Sequence, residues 1–451
     1  MTIFADGGTD FLNRMEDLIG EARNAGADSA DVVYAEGTSL SLSYRLGNPE
    51  NLDRAEGNDL GLRVLIGKRQ AIVSTSDTSD TALGQLVERA VSMAKVVPED
   101  EFCGLAPSEL LAGEIPNLDE CDPDEPGSDI LEERAKTAEQ AALAVQGVTN
   151  SEGAEASWSR SLVAVVASNG FARTRVRSHH SISASVLAGE GTEMESEYDW
   201  ATCVHAEDLP PPEDIGRGAG EKAVARLNPQ KISTAQIPIV YDPRVSQSML
   251  AHFSGAINGA AISRGTSFLK DRMDTPVFNE AINIIDDPLR RRGLRSKAFD
   301  GEGVATQRRN LIENGHLKTW VLDLRSARQL GLETTGHAAR GTSSPPSPST
   351  TNLYMEPGSV SPAELMADID QGLYVTGMMG RGANMITGDY SRGADGFWIE
   401  GGKIAFPVSE LTIAGNLNDM FMNVRPANDL VFRYGTNAPT LRIDGMTVAG
   451  K

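Results

Sequence analysis

Positive charge, cysteine and long apolar runs are all scarce in this 451-residue sequence, and each shortage removes a class of function. Lys and Arg total 41 against 63 Asp and Glu, a formal net charge of -22. Such a chain repels a phosphate backbone, so no nucleic acid is expected as a direct partner. Cys103, Cys121 and Cys203 are odd in number and far apart. They fit neither a disulfide framework nor a structural zinc site, and they read as ordinary thiols in a reducing compartment. The amino terminus, MTIFADGGTDFLNRMEDL, has no basic region ahead of an apolar stretch, and no later segment approaches the roughly 18 uncharged apolar residues of a membrane helix. The expectation is a cytoplasmic protein with no membrane contact.

A chain this long exceeds one hydrophobic core, and the pattern divides it into an α+β region over 1–230 and a β-rich region over 231–451. Phe11, Met15, Leu18 and Ala22 share one helical face, with Asp10 placed to cap the start and Gly26 to end it. Leu40, Leu42, Tyr44 and Leu46, then Leu60, Leu62, Val64 and Ile66, alternate as in half-buried strands. A second helix is expected over 80–97. The acidic, Pro-rich stretch 98–127 reads as a loop or linker with little to bury. The order then restarts: a helix to Val145 opened by a capping box of Asp129 and Glu132, a strand over 162–166, a turn at Asn169-Gly170, a strand around Ile182, and a helix over 214–227. This suggests a tandem repeat of an α+β unit.

From Ile237 onward, glycine and short alternating strands dominate, as in 293–304, 311–322, 396–406 and 440–448. So many short strands need their edges paired, which points to a closed or strongly curved, barrel-like sheet. One helix, VSQSMLAHFSGAINGAAI (245–262), is expected to be buried against it. The segment GTSSPPSPSTTN (341–352) reads as a mobile loop.

Spacing alone assembles no reactive centre. A zinc peptidase helix presents two His with a Glu beside the first, which takes a proton from the metal-bound water. His252 is the sole histidine on the 245–262 helix and is followed by Phe253. On residues alone it is a hydrogen-bonded core histidine. His179 and His180 adjoin on a strand and so face opposite ways, while His205, His316 and His337 are isolated. Ser254 has no GxSxG frame, and Gly380-Arg381-Gly382 is a tight turn rather than a dinucleotide fingerprint. Arg290-Arg291-Arg292 is either a docking patch or a solvated face. The glycine-rich TGDYSRGADGFWIEGGK (387–403) is either a substrate-binding rim or a hairpin needing positive φ.

Several segments, in order, carry a resemblance: LAHFSGAINGAAISRGTSFLKD (250–271), RGLRSKAFDGEGVATQRRNLIENG (292–315), SARQLGLETTGHA (326–338), TGDYSRGADGFWIE (387–400), LTIAGNLNDMF (411–421) and LRIDGMTVAG (441–450). Together the chain resembles the TldD/PmbA family on its PmbA (TldE) branch, also known under the name modulator of DNA gyrase. The amino-terminal half is similar in layout only. In that family TldD carries a His-Glu-x-x-x-His zinc motif and a later Cys ligand. Laid on this sequence, the first His is His252, the Glu position is Phe253, the second His position is Ile257, and 432–439 holds no Cys. The resemblance therefore implies a subunit with no catalytic residues, metal or cofactor of its own. A TldD-like partner would supply zinc, unfolded peptides would be the substrate, and the chain alone would form a homodimer. An extended peptide would lie along a sheet edge, a largely sequence-tolerant mode. An independent peptidase with an unrecognised active site, or a homodimeric binding or scaffold protein, are the alternatives.

Overall fold

The computed structural model describes residues 9–380 and 382–450. Its first half is one antiparallel sheet. Helix α1 (Thr9–Asn24) leads into β1 (Ser29–Arg45), β2 (Asn48–Ile66), β3 (Arg69–Thr75) and α2 (Asp80–Ala94). Then α3 (Ser128–Leu143) leads into β4 (Val148–Ala167), β5 (Ala172–Ala188), β6 (Glu195–Cys203) and α4 (Pro212–Ala225). The strand order β3-β2-β1-β4-β5-β6 sets two units of the same element order back to back, joined by antiparallel β1–β4 pairing.

The strand period of two assigns the faces. Even-numbered Val32, Tyr34, Leu40 and Leu42 on β1, with Trp158, Leu162 and Ala164 on β4, are buried with the apolar stripes of the four helices. Odd-numbered Val33 and Val165 belong instead to a cluster with Ala112 and Phe299 on the opposite face. Local signals explain the helix ends. Ser79 caps α2 by accepting from the Ala82 amide, and Gly26, at φ +111, lies where α1 has ended. The Asp10 side chain lies outside the described residues, as does Arg381. Gly127, with no side-chain bond, holds the cap of α3, so the expected Asp129/Glu132 box is not formed. Leu46 is not strand but turn, at φ +48 beside Gly47.

The second half opens with β7 (Ala235–Tyr241), α5 (Pro243–Ala256) and α6 (Gly259–Ser263). Short strands β8 (Ile284–Asp286), β9 (Arg309–Glu313) and β10 (His316–Leu317) join β13 (Leu353–Met355) and β18 (Thr436–Asn437) in one sheet, while β11 (Ala338–Ala339) pairs with β12 (Ser347–Pro348). Strands β14 (Gln371–Met379), β15 (Asp389–Glu400), β16 (Lys403–Asn416) and β19 (Leu441–Ala449) close a five-stranded barrel with β7, and β17 (Val424–Pro426) adds to β19. Closure comes from β16 pairing with β19, Thr412 opposite Ala449. The barrel-like expectation holds.

Four readings of single segments change. The 245–262 helix breaks after Ala256, because Asn258 starts a new cap on the Ala260 amide and Gly259 packs where a Cβ would lie 2.9 Å from the Val321 carbonyl. The stretch 293–304 is turns rather than strand, since Asp300 accepts the amides of Glu302 and Val304. The 98–127 segment is pinned: Arg328, on α7 (Leu324–Leu330), donates to the carbonyls of Phe102, Gly104 and Leu105, and Cys103, Ala106, Ala112 and Leu118 are buried. The 341–352 segment is also held, with Thr350, Thr351 and Asn352 buried and the Thr342 carbonyl so close to Gly61 that a Cβ there would lie at 1.8 Å. Composition concealed these contacts because each joins segments far apart in sequence, through a distant arginine, backbone groups or small side chains.

Candidate functional site

Helix α5 starts on a built cap, with the Asp242 side chain accepting from the Arg244 amide and Pro243 in the first turn. Its core face buries Ser246, Met249, Leu250, Phe253 and Ala256. Phe253 meets Phe278 and Phe421 edge-on, at ring-centre distances of 5.3 and 6.1 Å. Ile257 is fully buried at the end of the helix. His252 is only part-buried and stands edge-on to Tyr390, 5.7 Å between ring centres. Burial and the nearby Arg392 guanidinium hold its imidazole below the ordinary range, so it is neutral at pH 7.

The three motif positions thus face different surroundings. The residues present do not fit a zinc ion: one neutral imidazole remains, the base position is sealed in an aromatic cluster, and the second ligand position is an aliphatic side chain in the core. Among the described residues no group of three His, Cys, Asp or Glu is placed to hold a metal.

Beside this helix lies a cleft of about 1010 Å³, large enough for several residues of peptide. Its walls come from both halves of the chain: β6 supplies Glu197 and Trp200, α5 supplies Arg244 and Ser248, and the barrel supplies Thr376 and Arg392. The glycine-rich 387–403 segment turns out to be both a hairpin, turning at Gly401 and Gly402 with positive φ, and a cleft wall through Arg392 and Asp395. Most charge in the cleft is already paired. Arg226 bonds Glu197 at 3.1 Å and also Asp395, and Arg244 bonds Glu197 at 3.3 Å. Trp200 and Tyr434 lie 4.9 Å apart on one side.

The other histidines have separate roles. His179 faces the cleft while His180 is buried 3.1 Å from Asp122, opposite sides of one strand as the alternation requires. Desolvation lowers His179 to about 4, which keeps it neutral. His337 bonds buried Asp286 at 3.0 Å, and His205 stands by Asp119 at 3.2 Å. The arginine run docks within the molecule: Arg291 and Arg292 pair with Asp119, Arg292 also with Glu207 and Asp208, and Arg290 lies 3.5 Å above the Phe432 ring. No local pattern marks Glu197, Trp200 or Arg244, because the cleft forms only where distant segments meet.

A helix-backed sheet joined to a small closed barrel, with a peptide-sized cleft beside α5, defines a two-part α/β protein with a binding cleft between its halves. Comparison makes this specific. The model of the PmbA/TldA metallopeptidase C-terminal domain matches residues 234–450, that of domain 1 residues 30–94 and that of the central domain residues 121–227. The chain is 35% identical over 433 residues to the "Metalloprotease PmbA" of Escherichia coli O157:H7, covering 96% of this chain and 94% of that one. It therefore belongs to the PmbA/TldD metallopeptidase family, and the likeness reaches the amino-terminal half as well.

Two solved structures share the fold. A proposed modulator of DNA gyrase from Bacteroides thetaiotaomicron superposes with a TM-score of 0.91 at 26% identity, covering 100% of both chains. TldE from Thermococcus kodakarensis gives 0.86 over 97% of this chain and 100% of its own, and its 22% identity bears on the fold alone. No helix among the described residues is long and apolar enough to cross a membrane.

Proposed function

We propose that this chain is the non-catalytic, PmbA/TldE-type subunit of a heteromeric zinc metallopeptidase. A TldD-like subunit carries the zinc and the general base, and this chain completes the chamber and holds unfolded peptide. The observation that carries this reading is the divergence within one helix: the cleft beside α5 is kept, while Phe253 and Ile257 stand in the core where the base and second ligand would be needed. Without a base or a metal to activate water, this chain retains binding but not hydrolysis.

Two open strand edges support the holding role. Strand β6 is the outermost strand of its sheet, and β14 pairs with β7 only as far as Val375. Consecutive residues line the cleft on each, Ser196 to Tyr198 and Thr376 to Met379, so both strands present an edge rather than one face. An extended peptide can add to such an edge through main-chain bonds, which tolerates varied sequence. The test is zinc content and peptide hydrolysis of this chain, of a TldD-type subunit, and of their mixture. The expected result is zinc in the TldD-type subunit and full hydrolysis in the mixture; full peptidase activity in this chain alone would overturn the reading.

A further inference from the structure

The cleft wall carries more arginines than acids, on an acidic molecule. Four arginines line it, Arg226, Arg244, Arg295 and Arg392, against two carboxylates, Glu197 and Asp395. Those two acids are consumed by Arg226 and Arg244. Arg392 and Arg295 are left without a carboxylate among the described residues. Arg295 is exposed at the rim, whereas Arg392 projects from the inner face of β15, two residues from Tyr390 and beside His252.

The polar atoms near Arg392 share one character. Among the described residues its Nε is buried with no hydrogen-bond partner, and so are the hydroxyl oxygens of Thr376 and Ser248, both on the cleft wall. Thr376 is only 9% exposed. Buried donors in folded proteins almost always find an acceptor, since a desolvated unpaired donor is costly. Here the guanidinium Nε and two hydroxyls on the walls of one cleft lack a partner among the described residues, beside a second arginine with no carboxylate. That arrangement suits a planar anion with two acceptor oxygens.

We infer that Arg392, with the Thr376 and Ser248 hydroxyls, is a binding site for the terminal α-carboxylate of a peptide lying in the cleft. The inference rests on the peptide-holding reading and adds direction and register to it. A strand seated along β14 would be anchored by its carboxyl end at Arg392, close to His252, and would run out past Trp200 and Tyr434. Arg295 at the rim draws the anion inward, as a field rather than as a fixed partner.

The test uses the full chain and a short fluorescent peptide of Ala, Ser and Val containing no Asp or Glu, prepared as free acid and as carboxyl-terminal amide, with affinity read by anisotropy. The free acid is expected to bind about tenfold or more tightly than the amide, the scale of one charge-assisted hydrogen-bonded contact. Arg392→Gln should erase that ratio, Arg392→Lys should keep part of it, and Arg295→Gln should leave it while weakening the salt dependence. Equal binding of acid and amide overturns the carboxylate site and leaves the peptide-holding reading standing. Binding of neither form, alone or with a TldD-type subunit present, overturns that reading and the site with it. The acid-to-amide comparison needs no variant, so it decides the matter even if Arg392→Gln fails to fold; a folded Arg392→Gln chain that keeps the ratio also sinks the proposal.

Discussion

The two faces of the long sheet are buried by different means. Under α1 to α4 the contacts are mainly apolar: Leu60, Leu62, Leu86, Leu131, Trp158 and Ala219 are all buried there. The other face buries charge. Asp31 on β1 accepts from Arg63 on β2, at 3.0 Å to Nε, and from Arg340 in the second half of the chain, with side chains 1–3% exposed. Behind them Glu302 accepts the Leu324 amide, and Asp300 accepts three backbone amides. The apolar face is held by area, which degrades gradually as atoms are removed. The charged face holds only when every partner is present, because each ion has lost its water. It therefore serves as a joint fixing the sheet to the second half of the chain.

The largest expected effect breaks the joint. Asp31→Ala leaves two buried guanidinium groups facing each other and should cost about 3–5 kcal/mol in urea unfolding, the scale for stranding a buried charge. A loss no greater than that of a surface substitution would mean that the face is hydrated and the contrast false. On the helical face, Leu131→Ala removes a fully buried side chain between α3 and the sheet. It should cost about 3 kcal/mol through lost transfer energy and a cavity. The contrast sharpens in the double variant. The two sites share no partner, so their effects should add; strong coupling would show that the faces communicate through the sheet.

How much of this was legible depends on which face a residue served. The even-numbered Leu and Tyr of β1 and the stripe of α2 announce themselves by period, and the need to pair many short strands pointed to the barrel. Asp31 and Arg63 carry no such signal: a charged residue on alternate strand positions reads as solvated until Arg340 arrives from 309 residues away in sequence. The stretch 98–127 read as a loop or linker and 341–352 as a mobile loop for the same reason, since their anchors lie far away in sequence. Within the site, His252, Phe253 and Ile257 could be placed by motif, and Arg392 fell inside a segment marked for its glycines. Nothing local set Arg392 apart from the paired Arg226, because what distinguishes them is which acids the fold brings near.

The smallest effect concerns a proton at the joint. Burial, reinforced by the Asp300 charge, raises the Glu302 carboxyl from its ordinary 4.5 to about 8. Asp300, fixed by three amide donors, is the better anion of the two, so the proton resides on Glu302. The unfolded chain releases that proton near 4.5 and the folded chain holds it to about 8. Within that window the folded state binds more protons, and stability falls as pH rises; outside the window this group contributes no slope. Glu302→Gln keeps an acceptor for the Leu324 amide and removes the titration. Melting the two proteins at pH 5 and pH 8 should therefore show them nearly equal at the lower pH and the variant more stable at the higher, by on the order of 1 kcal/mol after solvent relaxation is allowed for. Curves that stay parallel across the window would place the proton elsewhere and leave the joint insensitive to pH.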